Sequence, residues 1–204
     1  MYINYNLWKD VLVKPAETFK KQEKKADLGE GVKHIGIAGI ITGFIVGLAA
    51  AAGLTVAGSM FGLSTFGAAA GIGAFLISLI LTPIVAVIMW LIWSGVLYIF
   101  AMIFGGKGSY TTQSYLIAIY TAPLMIITGI IGLIPVAGGA INFLIGLYSL
   151  YLLTLALKQA HKVTTERAVI IWLIPVIIVA IALGAWMWTV ASAMHGLSAY
   201  PGYP

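Results

Sequence analysis

The chain contains no cysteine, which excludes disulfides, thiolate metal sites and thiol redox chemistry. It also has little charge. Lys, Arg, Asp and Glu make up 8% of its 204 residues, about a third of the ~25% usual in globular domains. So few charges could not cover the surface of a water-soluble fold of this size. Within the long apolar stretches proposed below as spans there is no Asp, Glu, Lys, Arg or His. Ionisable groups at membrane depth mark proton relays, coupling-ion sites and voltage sensors. Their absence argues against proton-driven pumps and carboxylate-lined cation channels. It also removes intramembrane aspartyl, metal-dependent and Ser-His proteases, which need acids or histidines at depth. An enzyme is not expected, and neither is a cofactor.

What remains is apolar: 61% of residues are hydrophobic, and mean hydropathy is +1.05. The seventeen formally charged residues fall in three clusters: Lys9 to Lys33, Lys107 alone, and Lys158 to Arg167. Charge-free runs of 73 residues (34–106), 50 residues (108–157) and 37 residues (168–204) separate and follow them. About 20 apolar residues cross the roughly 30 Å hydrocarbon core, and in lipid the backbone must satisfy its own hydrogen bonds. The runs are continuous rather than alternating, so helices are expected and not a barrel. The fold class is therefore all-α: a polytopic integral membrane protein with five transmembrane helices and a short amphipathic cytoplasmic N-terminal segment. If each internal run crosses twice, every charge lies on one face. By the positive-inside rule that face is cytoplasmic, with the C-terminus external. The chain is thus expected in the cell membrane as a multi-pass protein. The net charge of +5 reflects this topology and does not call for nucleic acid.

Residues 1–33 form the N-terminal segment. Leu7, Trp8, Val11 and Leu12 share one helical face, and Pro15 opens a second helix with Phe19 on its apolar side. Such a basic segment with a Trp reads as an anchor in the headgroup layer, or more sharply as a docking site for a soluble partner. Its polar stretch is too long for a cleavable signal. The transmembrane domain occupies 34–190, with spans near 35–57, 72–104 (broken near Pro83), 115–134, 140–157 and 168–190. Residues 58–71 read as an external hairpin, and 191–204 as an uncharged external tail. Gly39, Gly43 and Gly47 put a side-chain-free stripe on the first span, for packing within the monomer or for a homo-oligomer. Pro83, Pro123 and Pro175 are candidate helix kinks. Tyr98, Tyr110, Tyr115 and Trp172 sit near the inner interface, and Trp186 and Trp188 near the outer one.

His34, His161 and His195 share no metal-ligand spacing, so no metal site is expected. Gly105-Gly106-Lys107-Gly108 lacks the spacing of a P-loop and reads as a flexible turn. Trp8, Lys107, Tyr110, Lys158, His161, Lys162 and Arg167 are the candidate residues for anionic lipid headgroups or a protein partner. The bland alternative is that they are topology anchors only.

Trp8, Val11, Leu12, Pro15 and Phe19 resemble the opening of prokaryotic Yip1-domain membrane proteins. The stretch from Gly105 to Pro123 is similar to that family's glycine-lysine-glycine turn and its proline-bearing span. Ile134, Pro135 and Gly138 match a turn of the family. Leu157, Lys158, His161, Thr164, Arg167 and Ala168 match a loop, and Pro175 matches the last span. The resemblance implies a five-span bundle with a cytoplasmic N-terminus. Eukaryotic relatives are associated with vesicle trafficking and prenylated Rab GTPases through a cytoplasmic N-terminal region. This chain departs from them in having a short basic headpiece. The functional expectation is a non-enzymatic scaffold or adaptor. The alternatives are a facilitator for a small neutral solute and an accessory subunit of a membrane complex.

Overall fold

The computed structural model describes residues 5–198, with side chains through Met194. Two short helices, α1 (Tyr5–Val13) and α2 (Pro15–Gln22), lead through a 3-10 turn at Glu23–Lys25 into five long ones. These are α3 (Leu28–Met60), α4 (Ser64–Ile103), α5 (Tyr110–Ile131), α6 (Ala137–His161) and α7 (Thr165–Ser198). All five are long and apolar enough to cross a membrane. Local sequence sets several boundaries. Pro15 opens α2, where its missing N–H costs nothing. The Asp27 carboxylate caps α3 by accepting from the Glu30 N–H at 2.8 Å. The Ser109 hydroxyl caps α5 through the Thr112 N–H at 3.1 Å. Lys162, in a left-handed conformation, ends α6.

Several boundaries differ from the sequence reading. The hairpin expected over 58–71 is helical except at Phe61–Leu63, where Gly62 (φ 72°) makes the turn. Glycine and alanine do not stop a helix in lipid, because no water competes for the backbone. Nor does Pro83 break the second span: α4 runs unbroken for 40 residues. The Pro83 ring is accommodated because Gly39 faces it, and a methyl at Gly39 would lie 2.5 Å from the Pro83 Cα. Pro123 and Pro175 likewise sit inside helices that continue on both sides. The proposed boundary at 33/34 cuts through α3, whose cap is Asp27. Finally, residues 191–198 continue α7 instead of starting a tail, since nothing in Ala191–Ser198 terminates a helix. The rest of that tail lies outside the described residues, as does the side chain of His195.

Helix α5 is the centre of the bundle. Every residue from Gln113 to Leu124 except Thr121 is buried. Helices α3 and α4 pack as an antiparallel pair along a glycine seam. A methyl at Gly43 would lie 2.6 Å from the Ser78 carbonyl oxygen. Further along, Gly58 and Gly67 meet backbone to backbone. This is the close approach that small residues allow in lipid, where apolar burial drives little association. Among the described residues the outer half of α7 is exposed, with Trp186 and Trp188 66% and 76% exposed.

The N-terminal helices pack against the bundle. Leu7, Trp8, Val11 and Phe19 join the same core as α5. The Leu12 carbonyl accepts from the Tyr148 hydroxyl at 2.5 Å, and the Phe19 ring meets Tyr120 edge-on. α1 and α2 therefore run along the flank of the bundle rather than across its end.

Candidate functional site

At the charged end the loop between α4 and α5 folds back onto α6. Lys107 donates its backbone N–H to the His161 carbonyl at 3.2 Å, and Gly108 donates to His161 Nδ1 at 3.2 Å. Because Nδ1 accepts, the ring proton belongs on Nε2, which donates to Gln113 Oε1 at 2.7 Å. The Gln113 amide nitrogen in turn donates to the Ser94 carbonyl at 2.7 Å. His161 and Gln113 are fully buried. One side-chain chain thus ties the loop, α6, α5 and α4 together. A methyl at Gly106 would lie 2.7 Å from His161 Nδ1, and one at Gly108 would run into the Ala160 carbonyl. The turn read as flexible is instead pinned, and its glycines are there because the histidine fills the space.

A second set of bonds holds the N-terminal helices to this end. Trp8 Nε1–H donates to His34 Nδ1 at 2.9 Å, and the Tyr115 hydroxyl donates to Gln22 Oε1 at 3.0 Å. Glu23 receives Lys162 at 2.6 Å and also the Gln159 amide. Burial alone would raise the Glu23 carboxyl. The hydrogen bonds from Lys162 and Gln159 and the charges of Lys162 and Lys24 outweigh it, and hold its pKa below the usual carboxylate value.

The seven candidate residues therefore separate into two groups. Trp8, 7% exposed, gives its indole N–H to His34, and His161, 0% exposed, faces the protein interior, so neither offers a polar group to a lipid headgroup or a partner. An amphipathic Trp can turn to lipid or to protein, and here Trp8 turns to His34. Tyr110 donates its hydroxyl to the Leu91 carbonyl at 3.0 Å and stacks edge-on with Tyr98. Lys107, Lys158, Lys162 and Arg167 are exposed. Lys158 donates to the Thr165 hydroxyl at 3.0 Å, beside an open hollow of about 530 Å³ that Lys162 and Thr164 also line. The exposed Lys20, Lys21, Lys24 and Lys25 extend the basic surface along the headpiece.

Sequence reasoning missed Gln113, Gln159 and Glu23, the side chains that join the parts. Gln113 carries a faint signal, as an amide at the mouth of an apolar run. Glu23 carries none, because its partners lie 136 and 139 residues away. Among the described residues no three of His, Asp and Glu come together in a way that could hold a metal ion.

The order of these features, a packed N-terminal amphipathic pair and five spans with basic connections at one end, accompanies a family match. A model of the Yip1 domain matches residues 9–200. The chain belongs to the Yip1 domain family. No match was found among curated proteins or among solved structures. In this Yip1 domain the match takes in α1 from Lys9, the His161-pinned loop and all five spans. The headpiece is thus part of the domain and not an appendage, in agreement with the core it shares with α5.

Proposed function

We propose that this Yip1-domain protein is a non-enzymatic membrane adaptor whose basic, cytoplasm-facing end engages anionic lipid headgroups of an apposed surface. The observation that carries this reading is the division between buried and exposed candidates. The buried His161 and Gln113 fix the loop, while Lys107, Lys158 and Arg167 stand outside on that rigid end. Fixed ammonium and guanidinium groups near a surface each add about 1 kcal/mol of attraction to anionic lipid. The one-sided placement of the charges favours a cytoplasmic N-terminus and residence in the cell membrane. A path for a small neutral solute has less support, because α5 side chains fill the bundle centre.

The test uses the protein in phosphatidylcholine nanodiscs and measures its capture of phosphatidylserine vesicles. Reversing Lys107, Lys158 and Arg167 to Glu is expected to weaken capture by about 100-fold or more, at roughly 1 kcal/mol per lost cation. Capture that is unchanged in the triple variant sinks the proposal.

A further inference from the structure

Away from the basic end, α1 and α5 leave a trough of about 420 Å³ between them, within the ~300–1,000 Å³ range of ligand pockets. Its walls are Trp8, Leu12 and Val13 on one side and Pro123, Ile126 and Ile127 on the other, with Tyr5 and Lys9 at the rim. Pro123 lies 13 residues into α5, so the trough sits about 20 Å along that span from Tyr110. Lys9, exposed at the rim, therefore stands beside an apolar wall of a membrane-spanning helix. A cation there is costly unless an anion meets it or its stem carries it to the interface. No carboxylate pairs with Lys9 among the described residues. Its neighbour Asp10 lines a separate polar hollow with Lys14 and Glu17.

We infer that the trough is a binding site for one anionic phospholipid of the surrounding bilayer, its acyl chain between α1 and α5 and its phosphate on Lys9. The lining fits this occupant better than a peptide. Trp8 Nε1–H is already given to His34, which leaves the rim groups Lys9 and Tyr5 as the side-chain polar partners for an occupant. A peptide backbone needs hydrogen bonds along its length, whereas a lipid needs one charged contact and an apolar wall. The site is separate from the surface of Lys107, Lys158 and Arg167, and the two can fail independently.

Native mass spectrometry of the protein released from nanodiscs of mixed phosphatidylglycerol and phosphatidylcholine tests the inference. One retained lipid per chain is expected, with about fivefold preference for the anionic one, the size expected from a single basic side chain. Val13→Trp, at an exposed position, should fill the trough and lose that lipid while still capturing phosphatidylserine vesicles. Lys9→Gln should keep a lipid but lose the preference. Reversal of Lys107, Lys158 and Arg167 should leave retention unchanged. A wild-type protein that emerges lipid-free, a Val13→Trp protein that retains the same lipid, or a Lys9→Gln protein with undiminished preference overturns it.

Discussion

The two ends of this bundle hold together by different physics. From the charged end inward, α5 is wrapped by its neighbours, with every residue from Gln113 to Leu124 except Thr121 buried. There, large side chains interlock and long-range bonds from His161, Gln113, Trp8 and Tyr115 cross between helices. Along α4, by contrast, no residue from Ile72 to Met89 is buried. Its contact with α3 runs through glycine backbones. Near water, burying apolar surface and satisfying polar groups both stabilise packing. In lipid the tails are as apolar as leucine, so what remains is close van der Waals approach. Within the spans, composition alone does not distinguish the two kinds of contact, since both lie in uncharged, apolar stretches. The difference lies in whether the contact face is made of side chains or of glycines.

The comparison breaks most visibly at the seam. Gly43→Val places atoms where a methyl already comes within 2.6 Å of the Ser78 carbonyl oxygen. Overpacking of that kind should cost about 3 kcal/mol and force α3 and α4 apart. Gly36, where an added methyl would meet nothing within 4 Å, is the control. Gly36→Ala should leave thermal stability in detergent unchanged while Gly43→Val lowers it sharply. Equal melting of the two variants would remove the seam as the source of far-end packing. At the charged end the corresponding change is His161→Ala. It leaves the Gly108 N–H and the Gln113 amide oxygen without partners, at about 2 kcal/mol. Hydrogen exchange should rise at Lys107 and Gly108 and stay unchanged along 39–47. If the loop stays protected, the histidine does not pin it.

That difference also marks how far the sequence can be read. The five long helices follow from the charge-free runs, because lipid permits little else. The stops expected inside those runs fail for one reason. Pro83 and the Gly-Ala stretch of 58–71 are breakers in water, where solvent takes up freed backbone groups. In lipid the helix persists, and Gly39 supplies the space for the Pro83 ring. Of the candidate surface, Lys107, Lys158 and Arg167 do stand outside. The inward turn of Trp8 and His161 is not legible, because each depends on partners far off in the chain: His34 for Trp8, and Gln113 and Gly108 for His161. The periodicity of α1 shows that one face is apolar but does not say whether lipid or protein covers it.

The smallest expected effect tests where the two regimes meet, at the ion pair that ties the headpiece to α6. Lys162 and the Gln159 amide stabilise ionised Glu23 in the docked state, so its folded pKa lies below the usual glutamate value. A depressed carboxylate contributes its stability above the unfolded pKa and loses it as pH falls through the folded one. Lys162 is half exposed, so solvent screens the pair and the contribution should be no more than about 1 kcal/mol. Trypsin cleavage at Lys20 and Lys21 is impractical in acid, but hydrogen exchange across α2 is not. Protection of Thr18 to Gln22 should hold steady from pH 7 to 5 and then weaken below about pH 4.5, with no such step in Glu23→Gln. Protection of the α3–α4 seam, which contains no titrating group, should stay level over the same range. A Glu23→Gln protein with the same acid step as wild type would place the sensitivity elsewhere in the headpiece. It would also leave the apolar burial of Phe19, Leu7 and Val11 and the bonds of Trp8, Gln22 and the Leu12 carbonyl to hold α1 and α2 against the bundle.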